Sequence, residues 1–122
     1  MRVLVVDGSA AISVRLVALL REALHEVVGI AATAAAAYDL AHALRPDVVV
    51  VDPQLPDRSG PEVIAALRER SPAALLLVLS SDPHPRNQRQ CQAQGADFFF
   101  DKASEFDAVA STLAVAAARA IR

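Results

Sequence analysis

The stretch VVVVDPQLPDRSG, residues 48–60, drives four valines into an aspartate and then breaks into a loop with two prolines and a closing glycine. Four β-branched residues without polar alternation fit a strand buried on both faces, as in a parallel sheet covered by helices. Pro61 follows at once, and proline suits the first turn of a helix because its missing amide would be unpaired there anyway. The segment therefore reads strand, loop, helix, with Asp52 at the carboxyl end of the strand. A charge in that position can meet whatever ends the neighbouring strands.

Outward from this unit the same alternation recurs. Residues 2–7 (RVLVVD) form a strand, followed by a helical stretch with Ile12, Leu16, Leu19, Leu20 and Ala23 on one face. Residues 26–32 (EVVGIAA) form the second, and Thr33 can cap a helix whose apolar stripe is Ala37, Leu40, Ala41 and Leu44. The third strand spans 47–52, and its helix carries Val63, Ala66 and Leu67. Residues 74–81 (ALLLVLSS) give the fourth strand. The stretch after it, 86–94 (RNQRQCQAQ), has helical propensity but almost no apolar face, which predicts weak anchoring to the rest of the fold. Residues 97–102 (DFFFDK) complete the set, and Ser104 with Asp107 resembles a capping box for a last helix burying Phe106, Val109, Ala110, Leu113 and Ala117. Strands alternating with helices in this way predict an α/β fold. The expected architecture is a five-stranded parallel sheet in the doubly wound, flavodoxin-like order 2-1-3-4-5 with five helices, taking ligands at the carboxyl ends of the strands.

At 122 residues the chain is long enough for one substantial core, so 1–122 is expected to be a single domain with no output domain attached. A hydrophobic content of 54% argues against disorder, and a net charge of −2 with a pI near 5.8 lacks the basic excess that direct nucleic-acid binding requires. The one cysteine, Cys91, has no internal partner for a disulfide, and no apolar run approaches the roughly 18 residues of a membrane span. Met1 leads straight into a strand without a charged leader, so the cytoplasm is the expected location, away from any membrane.

In the order 2-1-3-4-5, strands one, three, four and five lie side by side and end on Asp7, Asp52, Ser80 and Lys102. Neighbouring strands are about 4.8 Å apart, so Asp7 and Ser80 flank Asp52, while Lys102 starts roughly 10 Å away and must reach back along its long stem. Lys102 is the sole lysine against eleven arginines, which suggests a place that wants a compact ammonium on a flexible chain. Two carboxylates at one place repel unless a cation joins them, and Mg²⁺ is commonly held by one or two carboxylates with waters and a phosphate. An aspartate can also attack a phosphoryl group as a nucleophile, with Lys102 and the Ser80 hydroxyl meeting the charged oxygens.

With VVDG, DVVVVDPQLPDRSGPEV, LLLVLSS and GADFFFDK in this order and placement, the whole chain resembles the receiver domain of two-component response regulators. The resemblance implies that Asp52 accepts phosphate from a phosphohistidine on a histidine kinase or phosphotransfer protein. It also implies that Ser80 and Lys102 bind the phosphoryl group, and that Asp7, Asp52 and the backbone carbonyl of Gln54 hold Mg²⁺. Phe99 falls where the family carries its switch aromatic, and strand alternation puts it on the face opposite Lys102. The family's output face, formed by helix four, strand five and helix five, implies an unknown downstream protein as partner and could support a homodimer.

Two departures matter. Asp7 is followed by Gly8 where receivers usually carry a second acid, so Mg²⁺ binding is expected to be weaker than in a full site. Ala103 stands where many receivers have a cis proline, and a trans bond is expected because the cis form at a non-proline costs about 2.5–4 kcal/mol. Gln54 and Asp82 occupy variable positions that influence how long a receiver keeps its phosphate. The incomplete acid set makes a pseudo-receiver, a binding module of the same fold without phosphorylation, the alternative reading. An enzyme is not expected: a dehalogenase-like phosphatase needs a second acid at position 54, and DGSAA is no glycine-rich phosphate loop. His25, His42 and His84 lack ligand spacing, and Arg86 and Arg89 read as a solvated face.

Overall fold

The computed structural model describes residues 1–120. Its strands are β1 (Arg2–Val6), β2 (Glu26–Ala31), β3 (Val48–Val51), β4 (Leu75–Ser80) and β5 (Phe98–Asp101). The helices are α1 (Ala10–Glu22), α2 (Ala34–Leu44), α3 (Pro61–Arg70), α4 (Pro85–Ala93) and α5 (Ala108–Ala120). The strands form one sheet in the order β2-β1-β3-β4-β5, every neighbouring pair parallel, as the alternation predicts.

The unbroken valine run is explained by its place at the centre of the sheet: no residue of β3 is more than 1% exposed. Alternate side chains feed two cores, as the two-residue period of a strand requires. Leu4, Val6, Val49, Val51, Leu76 and Val78 pack on the side of α2 and α3. Val3, Val5, Val48, Val50, Leu77 and Leu79 pack with Leu16, Leu20, Val109 and Leu113 of α1 and α5. The Ser9 hydroxyl accepts the Ile12 amide at the start of α1, and the Thr33 hydroxyl accepts that of Ala36 at the start of α2.

Several sequence expectations shift by a residue or a helical face. The strands are shorter at their ends, so Asp7, Asp52 and Lys102 lie one position past β1, β3 and β5. α3 is rotated so that Val63, Ile64 and Leu67 are buried, with Ile64 in place of the expected Ala66. The larger side chain takes the core because its burial gains more, about 1.5–3 kcal/mol for a fully buried Ile. In α1, Ser13 is buried beside Leu16 and Leu20, and Ala23 falls after the helix as its C-cap. Around α5, Ala110 and Ala117 are half-buried while Phe106, Val109 and Leu113 are buried. The capping box of Ser104 and Asp107 does not form. The Ser104 hydroxyl instead donates to Asp101 at 3.1 Å, Asp101 also accepts the Ala103 amide at 3.0 Å, and Glu105 reaches back to accept the Asp101 amide. Every peptide bond among the described residues is trans, including Lys102–Ala103.

Candidate functional site

The carboxyl edge is built by backbone bonds that continue one residue beyond the strands. The Asp7 amide donates to Ala31, that of Asp52 to Val6 and that of Lys102 to Ser80, at 3.0, 2.9 and 2.8 Å. Each of the three side chains is thereby held at the same rim. Val6 pairs with Val51, so Asp7 and Asp52 stand next to each other.

Both carboxylates are oriented twice. Asp7 accepts the Ser9 amide on Oδ1 at 2.8 Å, and Asp52 accepts the Gln54 amide on Oδ1 at 2.9 Å, each closing the two-residue turn that aspartate favours. Their Oδ2 atoms converge on Lys102 Nζ, at 2.7 Å for Asp7 and 2.5 Å for Asp52. The side chains are largely withdrawn from solvent, at 3% for Asp7, 7% for Asp52 and 14% for Lys102, so the ion pairs are weakly screened. Burial alone pulls the Lys102 ammonium down, but its hydrogen bonds and charge attraction to Asp52 and Asp7 together outweigh it, and the pKa sits above the ordinary 10.5. The trio keeps one uncompensated negative charge. Of the three, Asp7 alone reaches the groove of about 550 Å³ between α1 and β2, where it lies with Gly8, Val14, Val17 and Ile30.

Three of the four expected tips therefore meet. Ser80 is fully buried, but its hydroxyl is turned into its own loop: Oγ accepts the Asp82 amide at 3.0 Å and lies 3.4 Å from the Asp82 carbonyl. That carbonyl also accepts Asn87 Nδ2 of α4 at 2.9 Å. Gln54 heads the β3–α3 loop as the partner of Ser59 in an isolated antiparallel bridge. The loop's own bonds use the carbonyls of Pro53 and Arg58 rather than that of Gln54. Phe99 packs half-buried into the α2–α3 core while Phe100 packs into the α1–α5 core, so alternation holds and Phe99 lies across the sheet from Lys102. Among the described residues no group of three or more His, Cys, Asp or Glu is placed to hold a metal.

Gly8 is not required by the backbone. Its φ is ordinary, and an added Cβ would meet Pro56 Cδ at 3.4 Å and the Ala32 carbonyl at 3.8 Å, normal contacts. Two polar residues escaped the sequence reading. Asn87 sat inside a run of polar residues that hid it. Asp57 accepts the amides of Ala34 and Ala35, and only the four alanines that open α2 without an acid hinted that one was needed.

A doubly wound sheet whose carboxyl rim gathers two acids under a lysine defines a receiver-type signalling domain. The chain belongs to the response regulator receiver domain family, whose profile matches residues 3–114. Over 78 residues, 63% of this chain, it is 49% identical to protein-glutamate methylesterase/protein-glutamine glutaminase 3 of Myxococcus xanthus, and the match covers 22% of that protein. It is 32% identical to the nitrate/nitrite response regulator protein NarL of Escherichia coli over 92 residues, 75% of this chain and 43% of that one. The chain thus spans less than half the length of these curated relatives. Among solved structures, the signal receiver domain of a NarL response regulator from Mycobacterium tuberculosis matches with a TM-score of 0.83 at 32% identity, covering 94% of both chains. The response regulator domain of Thermotoga maritima CheB matches at 0.80 and 26%, covering 93% of this chain and 90% of that one. No helix among the described residues is long and apolar enough to cross a membrane.

Proposed function

We propose that the chain is a phosphorylation-dependent signalling switch in which Asp52 accepts a phosphoryl group from a histidine kinase or phosphotransfer protein. The observation that carries this reading is Lys102 Nζ bridging the Asp7 and Asp52 carboxylates at the rim of the sheet. A carboxylate oxygen of Asp52 attacks phosphorus as the phosphorus–nitrogen bond of the donor histidine breaks, and the bonding pair returns to the imidazole. Lys102 offsets charge on the phosphoryl oxygens, and the Ser80 hydroxyl donates to one of them after leaving Asp82. No protein group needs to supply or remove a proton at Asp52.

Mg²⁺ fits the donor chemistry in a minimal way. Asp7, Asp52 and the Gln54 carbonyl would hold it, and when bound it supplies positive charge that screens the carboxylates from an incoming phosphate. Gly8 leaves this set one acid short, so binding is weaker than in a receiver with two acids after β1.

Output runs through α4, β5 and α5 to a downstream protein. What supports this face is its apolar exposure: Phe98 is 38% and Val115 54% exposed, and both line a cleft of about 280 Å³ with Thr112, Ala116 and Arg119. A homodimer through the same face is compatible with it. The second reading, a pseudo-receiver that binds partners without phosphorylation, is favoured by Gly8 alone. Intact mass after incubation with Mg²⁺ and acetyl phosphate separates the two: one phosphoryl adduct on the parent and none on Asp52→Asn supports the switch. No adduct on the parent, with a histidine kinase as donor too, supports the binding module.

A further inference from the structure

α2 opens with four alanines and has no acid in its first turn, although the amides exposed there favour negative charge. The Thr33 carbonyl takes the Ala37 amide, and its hydroxyl satisfies only that of Ala36. The two amides before it are satisfied from 23 and 22 residues away: Asp57 Oδ1 accepts Ala34 N–H at 2.8 Å and Oδ2 accepts Ala35 N–H at 3.0 Å. Asp57 sits at the tip of the loop between β3 and α3, in the turn closed by the Leu55 amide donating to the Arg58 carbonyl at 3.1 Å. The base of that loop is Gln54, whose amide holds Asp52, and Gly60, whose amide donates to Pro53. One side chain thus fastens the start of a helix to the loop that follows the phosphoacceptor strand.

We propose that Asp57 is the positioning residue of this loop: in capping α2 it holds residues 53–60 so that the Gln54 backbone stays beside Asp52. The claim rests on the reading that this rim receives a phosphoryl group and Mg²⁺, but its structural half is independent of that reading. The turn is otherwise closed only by bonds within itself and by Leu55, which is buried in the α2–α3 core. Losing the tip therefore loosens the base. The bonds from Ala34 and Ala35 hold the Asp57 carboxyl below its ordinary 3.8, so at neutral pH it is fully charged for this role.

The test compares Asp57→Ala, Asp57→Asn and Thr33→Ala by amide hydrogen exchange in metal-free protein, then by Mg²⁺ titration read at the Asp52 and Gln54 amides. Asp57→Ala is expected to speed exchange at Leu55 and Gly60 about three- to tenfold, together with Ala34 and Ala35. Asp57→Asn, which keeps an acceptor without charge, falls between parent and Asp57→Ala. Thr33→Ala speeds Ala36 but leaves the loop unchanged, which separates positioning from general loosening of α2. The Mg²⁺ midpoint of Asp57→Ala rises about three- to tenfold with the same limiting shifts. Unchanged exchange at Leu55 and Gly60, or equal loosening of the loop by Thr33→Ala, overturns the proposal, as does an unchanged Mg²⁺ midpoint. A parent that takes neither Mg²⁺ nor phosphoryl overturns the functional reading instead, and the exchange arm still decides whether Asp57 holds the loop.

Discussion

α3 and α4 each follow a strand with an expected site residue at its carboxyl end or one position beyond, yet they are held in opposite ways. α3, after Asp52, buries Val63, Ile64 and Leu67, whereas α4, after Ser80, buries only Cys91. α4 is otherwise a polar helix of arginines, asparagine and glutamines whose start is tied to the Ser80 loop by polar bonds to Asp82. Asn87 donates to the Asp82 carbonyl that neighbours the Ser80 hydroxyl, and the amide of the N-cap His84 donates to the Asp82 carboxylate. The difference teaches how one rim can be both fixed and responsive. Asp52 is presented by a rigid unit, and Ser80 borders one whose position depends on a few polar bonds. Lys102 joins the two halves, since its amide bonds Ser80 and its ammonium bonds Asp52.

The widest contrast is in stability. Leu67→Ala should cost about 2–5 kcal/mol in urea unfolding, because it empties a site in the core, whereas Cys91→Ala should cost only about 1 kcal/mol. Equal losses would erase the distinction between the helices. Lys102→Met, which removes the joint, should cost about 1–3 kcal/mol at pH 7 by leaving two buried carboxylates without their donor. Because the Lys102 pKa is raised in the folded protein, its contribution is complete below about pH 10.5 and is lost as pH climbs through the raised value. The stability gap between parent and Lys102→Met should therefore close at strongly alkaline pH. A gap that stays constant would mean that the ammonium contributes nothing.

Sharpening the fixed half is also possible. Position 8 has room for a Cβ, and Gly8→Asp places an acid beside Asp7, so Mg²⁺ affinity measured by amide shifts should rise about tenfold. The smallest effect is expected from Asn87→Ala, about 0.5–1.5 kcal/mol, chiefly for its bond to the Asp82 carbonyl, read as faster amide exchange in α4 with α3 untouched. Equal acceleration in both helices would contradict their independence.

The parts legible in the sequence were those written locally. The valine run, the period of the strands and the solitary lysine at a strand end led to the sheet order and to Asp7, Asp52 and Lys102. The polar character of α4 was equally plain, since a stretch with one apolar anchor cannot bury a face. What escaped depends on contacts between distant segments or on side-chain choice. Asp57 caps a helix 23 residues earlier, which no window of sequence contains. The Ser80 hydroxyl prefers the Asp82 amide two residues on, because a fully buried hydroxyl needs a partner within reach. Ile64 displaces Ala66 from the core because three-residue and four-residue spacings both fit a short helix, and packing decides between them.

The most direct measurement is an amide NMR comparison of the protein with and without Mg²⁺ and beryllofluoride, an acyl-phosphate mimic. A receiver switch built on this contrast predicts shifts at Asp52 and Lys102 that travel through Ser80 and Asp82 into α4 and reach Phe99, with the buried face of α3 quiet. Shifts confined to residues 52–54, or spread equally over α3 and α4, would contradict it.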